Sequence, residues 1–265
     1  MAPELVVVGG GRMGEALVRG LLAAGWEAGR VAVVEVSAER RKELAESRPD
    51  VQVVGEVAAA PAPAAVVAVK PADVEPAVRA LAEAGTGRVL SIAAGVTTSR
   101  IEGWAGPGVA VVRAMPNTPA LVGAGASAVA AGASAGPEDE EWAAAILSAT
   151  GRVVRLPERL LDAVTGLSGS GPAYVFLVAE ALIDAGVAAG LPRDASTTLT
   201  IQTLLGAARL LDESGQGPEA LRAAVTSPGG TTAAGLRVLE SRAVRSALID
   251  AVAAATDRSR ELGGA

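Results

Sequence analysis

From Leu5 to Arg155 the chain alternates short apolar runs with stretches of helical spacing. The runs are Leu5 to Val8, Val31 to Val36, Val51 to Val54, Ala65 to Val69, Arg88 to Ile92, Val109 to Val112, Ala126 to Ala130 and Arg152 to Arg155. Continuous β-branched runs belong to strands covered on both faces, and strands that alternate with helices need crossover connections. The pattern therefore predicts an α/β domain over residues 1–156, with a doubly wound, mostly parallel sheet. Beyond Leu156 the valine-rich runs stop, and Gly-Pro, Leu-Pro and Ser-Pro-Gly-Gly punctuation separates helical segments. Helices are predicted at Pro172 to Ala189, Pro192 to Ser214, Pro218 to Val225, Thr231 to Glu240 and Ala243 to Leu262, which makes 157–265 an all-α domain.

The first of these helices carries Val175, Phe176, Val178, Ala179, Leu182 and Ile183, an apolar face wider than one stripe, so burial on several sides is expected. A thin helical domain has a poor ratio of volume to surface and calls for a partner. The other apolar stretch, Ala114 to Pro137, is uncharged but interrupted by three prolines, four glycines and Asn117, and reads as loop, strand, loop rather than a membrane span.

Two segments look built for anions. Gly9-x-Gly11-x-x-Gly14 follows a strand and opens a helix, the context in which these glycines give a tight turn, close backbone approach to a pyrophosphate, and close helix–strand packing. The first domain is therefore Rossmann-like, with Gly9, Gly11, Arg12, Met13 and Gly14 expected at a dinucleotide. The second segment, Ser227-Pro228-Gly229-Gly230-Thr231-Thr232, precedes a helix whose first N–H groups lack intrahelical partners, and it suits a carboxylate or phosphate. Two anion sites imply a cofactor and an acidic small-molecule substrate.

Glu35, with Ser37 beyond it, closes the second strand, where an acid accepts hydrogen bonds from ribose hydroxyls and favours NADH; Arg40 and Arg41 leave a 2′-phosphate, and so NADPH, open. Ligands of open α/β sheets bind beyond the carboxyl ends of strands, so Val69-Lys70-Pro71 and Ala93-Ala94-Gly95 are expected to face the cofactor. Asn117, in a loop stiffened by Pro116 and Pro119, is expected there too. Lys70 reads equally as a surface charge, and the loop alone leaves open that Thr232 is a helix cap.

Composition limits the chemistry. The 265 residues contain no cysteine and no histidine, which removes thiol nucleophiles, imidazole bases and Cys/His zinc sites; no metal is expected. Hydride addition to an already protonated imine fits so sparse an acid–base inventory. The net charge is −6 with scattered basic residues and few aromatics, so no nucleic-acid or membrane partner is expected. Glu4 and the glycine cluster stand where a secretory leader would need an apolar run, so a cytoplasmic location is expected.

Lys70-Pro71, Arg113-Ala114-Met115-Pro116-Asn117-Thr118-Pro119, Leu167-Ser168-Gly169-Ser170-Gly171-Pro172-Ala173-Tyr174 and Ser227 to Thr232 together resemble pyrroline-5-carboxylate reductase, end to end and in order. The resemblance implies NADPH- or NADH-dependent reduction of L-1-pyrroline-5-carboxylate to L-proline, the last step of proline biosynthesis. It also implies an interlocked homodimer through the helical domain, assembled further into a ring of dimers. By the same resemblance Ser227, Gly229, Gly230, Thr231 and Thr232 hold the substrate carboxylate, Thr232 is the catalytic contact to the ring nitrogen, and Glu158 lies near the substrate. Glu35, Gly55 and Ala224 depart from the family pattern and unsettle any preference for NADPH. The residues alone leave open a reductase of another cyclic imine or carbonyl acid, and a non-catalytic dinucleotide-sensing dimer.

Overall fold

The computed structural model describes residues 2–263. Eight strands form one sheet: β1 (Leu5–Val8), β2 (Val31–Val34), β3 (Gln52–Val54), β4 (Ala64–Val67), β5 (Arg88–Ser91), β6 (Ala110–Met115), β7 (Gly125–Ala131) and β8 (Gly151–Arg155). Their spatial order is β3-β2-β1-β4-β5-β6-β7-β8, parallel throughout except between β6 and β7. Chain direction across the sheet reverses between β1 and β4, the crevice where ligands of such sheets bind.

Both faces are covered. Leu5 and Val7 point to one side, with Leu17 and Leu21 of α1 (Arg12–Ala23) and Ile146 and Leu147 of α5 (Pro137–Ser148). Val6 and Val8 point to the other, with Val78 and Leu81 of α3 (Val74–Glu83) and Ile101 of α4 (Thr98–Ala105). All four β1 side chains are buried, which is why that run is continuous rather than alternating. A short helix α2 (Ala38–Ser47) follows β2.

Strand ends differ from the sequence expectation by a few residues. β2 stops at Val34, leaving Val36 exposed, and β4 stops at Val67. β6 runs past Val112 to Met115 because Arg113, Ala114 and Met115 pair antiparallel with Ala130, Val129 and Ala128. The uncharged stretch after Ala114 thus supplies the end of one strand and the whole of β7.

The helical elements after β8 are a 3-10 turn (Glu158–Leu160), α6 (Leu161–Val164), a π-helical turn (Thr165–Gly169), α7 (Gly171–Ala188), α8 (Arg193–Glu213), α9 (Pro218–Ala224), α10 (Thr231–Ser241) and α11 (Val244–Gly263). The compact units do not divide where the sequence pattern changes. Residues 157–170 and 253–263 go with the sheet, and 171–252 form the second unit. The reason is packing: Leu161 is fully buried against Ala128 and Ala130 of β7.

In the second unit α7 packs on α8. The expected burial of α7 on several sides is not met within one chain: Val175, Phe176, Val178 and Leu182 are all exposed, and no α7 residue is buried. Residues 158–188 are long and apolar enough to cross a membrane. Packing on α8 covers part of α7 and leaves the rest of this wide apolar surface exposed within the chain.

Candidate active site

The glycine turn after β1 has the geometry a dinucleotide requires. Gly9 has φ +109°, and a Cβ there would meet the Ala68 carbonyl oxygen at 2.6 Å. Gly14 lies so close under the turn that a Cβ would stand 2.0 Å from the Gly9 carbonyl oxygen. At Gly11 the reverse holds: a Cβ would meet nothing within 4 Å, so this glycine keeps space open above the helix. α1 has no side-chain cap, and its first backbone bond runs from Glu15 N–H to Gly11. The N–H groups of Arg12, Met13 and Gly14 thus precede the first helical bond, as an anion site needs. Gly9, Gly11, Glu35, Ala68, Val69 and Lys70 line one cleft of about 330 Å³ at the switch between β1 and β4.

Glu35 is tied into that turn. One carboxylate oxygen accepts from Gly10 N–H at 3.0 Å and the other from Ser37 N–H at 2.8 Å. A carboxylate has about four acceptor sites, so capacity for two ribose hydroxyls remains. Ser37 itself caps α2 by accepting from Arg40 N–H. Both arginines beyond the strand already have partners. Arg40 binds the Gly10 carbonyl, Glu43 and Glu15, and the hydrogen bonds to Glu43 and Glu15 raise its pKa. Arg41 donates to the carbonyls of Glu35 and Val36, lying where a side chain at position 55 would begin. A 2′-phosphate would have to displace these bonds beside a carboxylate.

The remaining strand-end loops separate. Pro71, Ala94 and Gly95 line a second cavity, of about 480 Å³, together with Thr165 and Ser170. Ala93 is buried in the core under α3 and α4, so only its backbone can face outward. Asn117 is engaged at both ends of its amide, donating to the Ser168 carbonyl at 3.1 Å and accepting from Ala126 N–H at 2.8 Å. Its side chain joins the strand-turn loop to the π-helical turn.

Glu158 is likewise engaged. Its carboxylate accepts from Thr98 N–H at 2.8 Å, Thr98 hydroxyl at 2.6 Å and Arg113 Nη1 at 3.1 Å. Arg113 is 5% exposed, so this ion pair sits largely out of water. Burial pushes the Glu158 carboxyl up, but the Thr98 hydroxyl and amide bonds and the Arg113 guanidinium outweigh it and hold the group below the ordinary carboxylate value. Glu158 thereby fastens the 158–170 segment to α4 and β6.

In the second unit, Gly230 N–H bonds the Ser227 carbonyl at 3.0 Å, closing a turn in which Gly229 has φ +71°. α10 then begins at Thr231, with N-cap Gly230 and no side-chain cap. Its first backbone bond is Ala234 N–H to Gly230, so the N–H groups of Thr231, Thr232 and Ala233 precede it. Thr231 is exposed and Thr232 half-buried.

Comparison with known proteins agrees with both halves of this geometry. Residues 158–262 match the family model described as pyrroline-5-carboxylate reductase dimerisation, and residues 4–95 match that described as NADP oxidoreductase coenzyme F420-dependent. A pyrroline-5-carboxylate reductase of Synechocystis sp. is 46% identical over 99% of both chains. The chain belongs to the pyrroline-5-carboxylate reductase family. The solved structure of a pyrroline-5-carboxylate reductase from Coxiella burnetii superposes with a TM-score of 0.92 at 38% identity, covering 99% of both chains. The Plasmodium falciparum pyrroline carboxylate reductase, solved with NADP bound, superposes at 0.85 with 29% identity over 98% of each. The chain is accordingly an oxidoreductase that reduces pyrroline-5-carboxylate to proline with NAD(P)H, and it carries that family's dimerisation domain.

Two features of this reductase had no sequence signal. The Arg113–Glu158–Thr98 cluster joins residues 45 and 60 positions apart. The return of the chain's last turns to the sheet unit leaves no mark on local periodicity.

Proposed function

We propose that the cofactor is held by Gly9, Gly11, Arg12, Met13, Gly14, Glu35, Ser37, Val69, Lys70, Pro71, Ala93, Ala94, Gly95 and Asn117, some through backbone alone, and that the substrate is held by Ser227, Gly229, Gly230, Thr231 and Thr232. The observation that carries the second half is the uncapped N-terminus of α10 behind an exposed Pro-Gly-Gly turn. Its N–H groups and the positive end of the helix dipole suit the ring carboxylate. The reduced nicotinamide, when bound, would supply the hydride. The chain's task is orientation at near-attack distance, because the protonated imine is already electrophilic and the sequence has no histidine to move a proton. The electron pair of the C=N bond passes to a nitrogen that keeps its proton, and the Thr232 hydroxyl holds that nitrogen in place. Glu158 acts on the substrate side only indirectly, through the segment it fastens.

The reading continues to cofactor choice and assembly. Glu35 in the ribose position and two engaged arginines favour NADH at least as much as NADPH. We infer an interlocked homodimer, with rings of dimers above it, working in the cytoplasm; the exposed face of α7 and the match to a dimerisation domain support the dimer. In it each active site combines the cofactor loops of one chain with the Ser227 to Thr232 loop of its partner. Complementation tests the shared site. Gly11→Val fills the open cradle, and Gly230→Val drives a side chain into the Ser227 hydroxyl, 2.4 Å from where its Cβ would stand. Each variant alone is expected to be inactive, whereas a mixed dimer contains one site free of both lesions and recovers activity. A verified mixed dimer without activity refutes the arrangement.

A further inference from the structure

The last turns of α11 contribute a wall that the sheet's own loops do not supply. Residues 253–263 belong to the sheet unit, and Ala255, Ser259 and Leu262 line the 480 Å³ cavity opposite Pro71, Gly95 and Thr165. The wall is fixed on two sides. Ser259 is 6% exposed, and its hydroxyl donates to Asp162 Oδ1 at 2.7 Å, a charge-assisted bond between residues 97 positions apart. Asp162 sits in α6, one turn before the π-helical turn whose Thr165 lines the same cavity. On the other side, the Leu262 carbonyl and Gly263 amide lie 3.5 Å from where a Cβ on Gly95 would be, and Gly95 has φ +75°. The helix end thus rests against a loop that faces the cofactor, and single-turn π segments are frequent where a site must be shaped.

We propose that Ser259 and Asp162 are positioning residues for hydride transfer: their hydrogen bond fixes the α11 wall against which the nicotinamide end of the cofactor is oriented. The inference rests on the reductase reading above. Neither residue touches the reacting atoms. A shift of the wall by a fraction of an ångström changes the alignment of the hydride donor without changing the contacts that dominate cofactor affinity, which lie at the glycine turn.

The test uses the full-length oligomer. Turnover of pyrroline-5-carboxylate by the unaltered protein comes first; its absence would fail the reductase reading and not the latch. Ser259→Ala is expected to lower kcat about tenfold, to leave KM and the directly titrated Kd for NADH within about twofold, and to raise the isotope effect on kcat with NADH deuterated at C4. Amide exchange of residues 255–263 should accelerate while that of α7 does not. Ser259→Thr, which keeps the hydroxyl, should restore kcat and the isotope effect. Unaltered kcat and isotope effect in a Ser259→Ala protein whose 255–263 amides exchange faster would overturn the proposal. Should Ser259→Ala lose the oligomer, Asp162→Ala is read by the same measurements. Loss of assembly in both would assign the bond to folding instead and overturn it equally.

Discussion

The two units solve the problem of burial differently. In the sheet unit Leu5, Val6, Val7, Leu17 and Leu21 are at most 1% exposed within a single chain, whereas in the helical unit Phe176 is 62% and Leu177 66% exposed. Both are rich in apolar side chains for their length. The difference lies in layers: a sheet covered on both faces closes its core by itself, while α7 and α8 packed on each other leave their outer faces bare. A unit of the first kind has a stability of its own, and one of the second kind has a stability set by its partner and by protein concentration.

The most disruptive way to break this contrast is a charge on the bare face. Phe176→Asp is expected to abolish both assembly and activity, while an isolated chain would tolerate it as an ordinary surface change of within about 0.5 kcal/mol. Light scattering and a concentration series of melting curves decide between these. An oligomer of normal size would mean that α7 does not lie at the interface.

Next in size is the ion pair of the sheet unit between buried Arg113 and half-buried Glu158. Glu158→Ala strands Arg113 and is expected to cost about 3–5 kcal/mol, independent of protein concentration. The folded carboxyl is depressed below its ordinary value of 4.5, so its contribution is complete above that pH and is lost as pH falls through the folded value. The gap in Tm between the two proteins should therefore narrow only below about pH 4.5. A rise in KM for pyrroline-5-carboxylate with no change in Tm would return Glu158 to the substrate.

Smaller effects separate the two anion loops. Thr232→Val keeps shape and removes one hydroxyl, with an expected loss of about 1–3 kcal/mol in kcat/KM and no change in NADH affinity. Unchanged catalytic efficiency would leave Thr232 a mere helix-start residue. Glu35→Ser is the mildest change, shifting the ratio of kcat/KM for NADH over NADPH by about tenfold toward NADPH, or about 1.4 kcal/mol. A strong preference of the unaltered protein for NADPH would show that Arg40 or Arg41 exchanges its present partners for the phosphate.

Much of this was legible in one dimension because the physics was local. The limits of α7 to α11 agree with Pro and Gly punctuation to within a residue or two, as for α8 between Pro192 and Ser214 and α10 from Thr231, whereas α6 and the π-helical turn had no such signal. The Gly9–Gly14 turn was legible because each glycine answers a steric demand of its immediate backbone. Asn117 was expected in a stiff loop after a strand, and Glu158 near the substrate by resemblance alone, but their hydrogen-bond partners are not neighbours in sequence.

The sequence by itself determined the order of strands and helices along the chain, the two glycine-rich turns that open α1 and α10, and a chemistry without thiols or imidazoles. These follow from side-chain period, backbone sterics and composition, all properties of a few adjacent residues or of the inventory. Tertiary structure alone decided which polar groups are consumed in holding the fold: Glu35 by Gly10 and Ser37, Glu158 by Thr98 and Arg113, Asn117 by Ala126 and Ser168, Ser259 by Asp162. It also decided that the last turns of α11 return to the sheet. A buried donor or acceptor must find a partner wherever the packing of apolar layers brings one within reach, and that choice is made in space after the layers have assembled.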